Sequence, residues 1–265
     1  MKMVINYVRF FRQTSFFIVF LVVASVICKF CLHFFPGAIT IKLNNFFYLG
    51  TEKNLPSLFS ALQLWFAAIV LFILSITRFS AKDKYRFHWA ILGVIFLFLG
   101  YDEWKSVHEK ISNYLHNYFH FHGIFFLAWV IPASIFLVFL GLFFLRFLLA
   151  LPVKTRTRII ISAAIFLGGA VGLEMIESIF VEKNGGDVGI PIVTLIHIEE
   201  FLEMFGIAYF IYALFEFAYE VGPRETRFEF VIKTNDKIVI PTHNPTLSFH
   251  PLKYLAFFGK RANKR

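Results

Sequence analysis

Six apolar runs constrain this chain more than any other feature of it. They are Phe16–Phe35, Pro56–Ile76, Phe87–Tyr101, Gly123–Leu145, Ile159–Val181 and Pro191–Phe217. Bilayer hydrocarbon is about 30 Å thick, and a helix rising about 1.5 Å per residue needs roughly 20 apolar residues to cross it. Backbone amides in hydrocarbon have no water to bond, so such runs must close their own hydrogen bonds as helices. The expected fold is all-α, a polytopic membrane bundle of six transmembrane helices. The third run is the shortest, and it reaches full length only by continuing through Asp102 to His108. Composition agrees: 58% of residues are hydrophobic and 16% charged, against about 45–50% and 25% in soluble domains. The 38 phenylalanines suit a lipid-facing surface and imply no chemistry.

The first run follows Lys2, Arg9 and Arg12. It is longer than the apolar core of a signal peptide, and no small-residue cleavage site follows it. It is therefore read as an uncleaved anchor and first span. Basic residues orient the spans. With the N-terminus in the cytoplasm, 20 of the 26 Lys and Arg fall on the cytoplasmic side, in the N-terminal segment, Arg78–Arg86, Arg146–Arg158 and the tail. The positive-inside rule thus places both termini in the cytoplasm and calls for an even number of spans.

Two regions are expected: a transmembrane domain over 1–222 and a basic cytoplasmic tail over 223–265. In the tail, Phe228, Phe230 and Ile232 precede Thr234-Asn235-Asp236, and Ile238 and Ile240 follow, a spacing that predicts a small β-hairpin. Its basic end, Lys260–Arg265, would be attracted to anionic lipid at the cytoplasmic face. No motif for reading bases accompanies the charge, so nucleic acid is not an expected partner. Pro56 and Pro191 are placed to open helices, Pro132 to kink one, and Gly185-Gly186 to end one. Gly168 and Gly172 form a small-xxx-small face for close helix packing.

The acids run opposite to the bases. Eleven of the seventeen fall on the outer side or in outer helix halves. Three segments carry most of them: Asp102-Glu103 with His108-Glu109, Glu174 with Glu177, and His197 with Glu199, Glu200 and Glu203. The predicted directions of the third, fifth and sixth helices bring all three to the outer leaflet. Glu174 and Glu177 share a helix face, as do His197 and Glu200. An ionised group at a helix centre costs about 2.5–3.5 kcal/mol, so five unpaired intramembrane glutamates would cost on the order of 10 kcal/mol. The nearby bases Lys105, Lys110, His108 and His197 are too few to neutralise them. Protonation, hydration or a bound cation must account for the rest. Helical bundles build metal sites from facing Glu and His side chains. Oxygen-rich ligands with one or two imidazoles suit iron, manganese or zinc. The expected divalent-metal ligands are therefore Glu174, Glu177, His197, Glu199, Glu200, Glu203, Asp102, Glu103, His108 and Glu109. His116, His120 and His122 read as interfacial aromatics. Cys28-x-x-Cys31 lacks the strand context of a redox motif.

Asp102-Glu103-x4-His108-Glu109 followed by Glu199-Glu200-x2-Glu203-x2-Gly206 resembles a pattern in uncharacterised bacterial polytopic membrane proteins. The resemblance spans the third to sixth helices. It implies a protein of the bacterial cytoplasmic (inner) membrane whose quoted residues form one site, and it implies no activity. Intramembrane proteases of the CAAX type carry Glu-Glu-x-x-x-Arg. Glu199-Glu200 matches its start, but Met204 follows Glu203 with no Arg in register. Three readings stay open: a metal-binding protein able to act as an enzyme, a cation- or proton-coupled transporter, and a structural subunit of a membrane complex or homo-oligomer.

Overall fold

The structure is a computed structural model that describes residues 3–185, 189–221 and 230–232. The chain opens with a three-residue strand, β1 (Met3–Ile5), and enters α1 (Tyr7–Phe34) through an Asn6 cap, whose Oδ1 accepts the Arg9 amide at 2.9 Å. A short helix α2 (Ala38–Phe47) leads to α3 (Leu55–Ser80), followed by α4 (Arg86–Lys105), α5 (Val107–Phe119), a 3₁₀ turn (Gly123–Phe125) and α6 (Val130–Ala150). Next come α7 (Val153–Leu167), a π-helical segment (Gly168–Leu173) and α8 (Glu174–Lys183), then the long α9 (Ile190–Val221) and strand β2 (Phe230–Ile232).

Five helices are long and apolar enough to cross a membrane: α1, α3, α6, the continuous rod of α7 to α8, and α9. The expectation of six is not met on these criteria. The shortfall is α4, whose apolar run is bounded by Arg86 and His88 at one end and by Asp102 and Glu103 at the other. The outward surface fits a lipid surround. Phe16, Phe20 and Phe30 of α1 and Phe136, Phe139 and Leu142 of α6 are all more than half exposed. A water-soluble monomer rarely exposes contiguous apolar surface on that scale.

The core lies between α3, α4 and α9. Trp89 is buried and packs edge-on to Phe147 and face-on to Phe217. Leu64, Leu71, Ile211 and Leu214 fill the space beside it. α4 runs antiparallel along α3, with Gly93 against Phe72, Gly100 against Trp65, and the Ser75 hydroxyl donating to the Arg86 carbonyl at 2.9 Å. A Cβ on Gly100 would collide with the Trp65 ring, so this pairing depends on glycine there.

Several local expectations change. Pro132 stands in the first turn of α6, where no intrahelical N–H is lost, and introduces no mid-helix kink. Gly168 and Gly172 face open space or their own helix. The close approach between helices uses Gly169 and Gly206 instead. A Cβ on Gly169 would lie 2.9 Å from the Glu199 carbonyl, and one on Gly206 would lie 2.8 Å from the Phe166 amide. The π segment, with one extra residue in its turn, rotates the face that follows it. Gly185 closes α8 at φ 59°, as expected, while Gly186 lies outside the described residues. β2 pairs in parallel with β1. The remainder of the expected hairpin, the basic tail and Asp187 also lie outside the described residues.

Candidate functional site

The third apolar run does not continue to His108. The chain breaks at Ser106, a buried residue in the left-handed region (φ 49°, ψ 52°), and α5 leaves in a new direction. The break allows Asp102 to reach forward. Its Oδ1 accepts the His108 amide at 2.8 Å, satisfying a donor that the first turn of a helix leaves unpaired. Its Oδ2 lies 3.1 Å from His108 Nδ1. With Nδ1 taken up by the carboxylate, Nε2 is the nitrogen left to bind something else. A carboxylate behind an imidazole is the usual arrangement that fixes the tautomer of a metal-ligating histidine.

The partner of His108 comes from a loop that spacing rules do not reach. Asn54 caps α3 by accepting the Ser57 amide at 3.1 Å, and its Nδ2 donates to the Tyr48 carbonyl at 2.6 Å. These bonds tie down the loop between α2 and α3 and turn Glu52 toward α5. Among the described residues, Glu52, His108 and Glu109 form the trio whose ligand atoms all lie within 4.8 Å of one another. Glu52 Oε2 is buried and meets no hydrogen-bond partner among the described residues. Burial, reinforced by Glu109 and Asp102, raises its carboxyl to about 7. Burial also works against a charged His108, but the hydrogen bond and charge of Asp102 outweigh it and lift the imidazole to about 9.

Behind the trio lie the other carboxylates. Glu174 accepts the Trp129 indole N–H at 2.5 Å, and the Trp129 ring sits 5.2 Å from that of His108. Glu103 is within electrostatic reach of Glu200, Glu52, His108 and Asp102. Glu203 is within reach of Glu103, Glu174, Asp102 and Glu52. Glu177 and Glu199 are both buried and lie close to each other between α8 and α9. The close approach at Gly169 lays the π segment against Glu199 and Glu203 and so draws the acids of α8 and α9 together. The expected acids of α4, α8 and α9 thus form one neighbourhood at one end of the bundle.

His197 stands apart. Its Nδ1 donates to the Val193 carbonyl at 2.6 Å, and its Nε2 accepts the Ser25 hydroxyl at 2.8 Å. Both nitrogens are occupied, and the ring fastens α9 to α1. Ser25 in turn accepts the Leu49 amide at 3.1 Å. His122 and the Gly123 amide both bond Glu182 at 2.6 Å, which ties the segment before α6 to α8. Cys28 and Cys31 are free thiols.

Sequence reading missed Glu52, Trp129 and Ser106. Glu52 was visible only as one more outer acid, because nothing in its spacing links it to a residue 56 positions later. Trp129 carried no signal at all.

The fold and the cluster define a helical membrane protein with carboxylate and histidine side chains gathered at one end. The chain belongs to a family described as a domain of unknown function, DUF8692, which matches residues 14–217. No curated protein and no solved structure matches it.

Proposed function

We propose that the protein binds a divalent cation at Glu52, His108 and Glu109, at the outer face of a membrane. The observation that carries this reading is the trio itself, with Asp102 behind the histidine. Ligand atoms on a tetrahedral ion, with bonds of about 2.0–2.1 Å, stand roughly 3.3 Å apart. The trio must close by rotating side chains, and Glu109, which is exposed, is free to do so. Two carboxylates and one imidazole suit zinc, manganese or iron(II). Three protein ligands leave a position for water, which such an ion acidifies. Metal-dependent chemistry at the membrane surface is the activity this arrangement supports. Glu174, Glu177, Glu199, Glu200, Glu203 and Glu103 lie behind the trio as further carboxyl groups. His197 is left out of the ligand set because both of its nitrogens are engaged.

The finer topology belongs to the same proposal. α4 lies antiparallel to α3 along its length, and its 20 residues span about 30 Å. It is the sixth crossing, and its charged ends sit at the two membrane surfaces. Both termini lie in the cytoplasm of a bacterial cell, with the tail against anionic lipid. A transporter is the weaker reading, because below Glu203 the α9 residues Met204, Ile207, Ile211 and Leu214 are buried in apolar packing.

The test is metal analysis of purified protein. About one zinc, manganese or iron per chain is expected, with loss of at least most of it in His108→Ala and in Glu52→Gln. Absence of stoichiometric metal, or retention of it in both variants, overturns the reading.

A further inference from the structure

A second feature lies on the other side of α9. A groove of about 1050 Å³ runs between α1 and the first half of α9. Val22, Val26 and Phe30 line it from α1, and Val193, Ile198 and Phe201 line it from α9. Lys29 and His33, four residues apart on one face of α1, stand at its outer end. We propose that this groove holds one anionic phospholipid, its hydrocarbon between α1 and α9 and its headgroup at Lys29 and His33.

Three observations select a lipid over other occupants. α1 and α9 both have the length and composition to cross a membrane, so the groove opens into hydrocarbon rather than water. Exposed Val26, Phe30 and Ile198 form its rim. The charge at the groove end is also opposite to that of the neighbouring cluster. Whereas α4, α8 and α9 gather carboxylates, this end of α1 presents an ammonium and an imidazole. The Lys29 ammonium lies 4.1 Å from the centre of the buried Tyr48 ring, which fixes it near the C-terminal end of α1. His197 forms the inner wall and is immobilised by Ser25 and Val193. The site uses none of the proposed metal ligands and does not depend on the metal reading.

Full-length protein in detergent, stripped of metal by a chelator, can be offered phosphatidylglycerol or phosphatidylcholine of identical chains and weighed by native mass spectrometry. One phosphatidylglycerol per chain is expected, preferred about five- to tenfold, as one to two basic groups near a headgroup would give. Lys29→Gln should retain lipid and lose most of that preference. Val26→Trp, which fills the groove, should retain neither lipid, and Val193→Phe serves if that variant does not fold. Phe16→Trp, a control on the exposed surface of α1, should behave as wild type. Equal retention in wild type and the filled variants, or an unchanged preference in Lys29→Gln, overturns the proposal. So does a photo-crosslinker at Val26 that captures a protein chain in place of lipid. Lipid retained by a His108→Ala variant that has lost its metal confirms that the two sites stand or fall separately.

Discussion

At the scale of single residues, His108 decides what the carboxylate end of the bundle can do. Asp102 holds its Nδ1, and Glu52 and Glu109 stand opposite. Without a bound ion, Glu52 titrates near 7 and His108 near 9, both above their ordinary values. A group whose folded pKa is raised favours folding most at low pH and loses that contribution as pH rises through the folded value. Chelated protein should therefore lose thermal stability between about pH 4.5 and 9, through Glu52 up to about 7 and through His108 from 6.5 to about 9. A divalent ion needs both groups deprotonated, so its stabilising effect should run the other way and grow over the same range. Melting curves with and without added zinc or manganese at each pH check this. A zinc-induced shift that is flat or falling across the window counts against ligation by Glu52 and His108. The presence of the cluster was legible, because carboxylates in apolar runs are expensive wherever they occur. Its membership was not, because Glu52 and Trp129 reach the site through loop geometry that no spacing rule encodes.

At the scale of elements, two departures from regular helix build the site. One is the left-handed Ser106, which separates α4 from α5 and turns the histidine back over Asp102. The other is the π segment, where Gly169 lets α9 approach until backbone meets backbone. Gly169→Ala would place a methyl 2.9 Å from the Glu199 carbonyl. Overpacking of this kind costs about 1–3 kcal/mol. A lowered melting temperature and reduced metal content together are expected. Gly168→Ala, which meets nothing, should change neither. If the two substitutions behave alike, the glycine contact does not position the site. Gly168-x-x-x-Gly172 was the conspicuous pattern in the sequence. The working glycine is its neighbour, because the π turn shifts which residue faces α9.

At the scale of the whole molecule, charge separates along the bundle. One end collects carboxylates. At the other end Glu216, buried, is paired with Lys154 at 2.9 Å and with Arg158. Six crossings would place the loop at Lys82 and the helix at Lys110 on opposite faces. In a chain with Cys28 and Cys31 replaced by Ser, Lys82→Cys should label only after a cell envelope is opened. Lys110→Cys should react with a membrane-impermeant maleimide from outside. Labelling of both from one side would leave α4 short of a crossing and overturn the topology.

What the sequence by itself determined is that this chain forms helices long and apolar enough to cross a membrane. That follows from sums over many residues, and such sums survive errors in any one place. It also determined that costly acids must share a region. Only the tertiary structure decided which of them meet. It exchanged His197 for Glu52 beside His108, moved the close contact from Gly168 to Gly169, and opened an apolar groove beside Lys29. Each of these depends on one backbone turn or one side-chain direction. Those are set by contacts between residues far apart in the chain, to which local periodicity is blind.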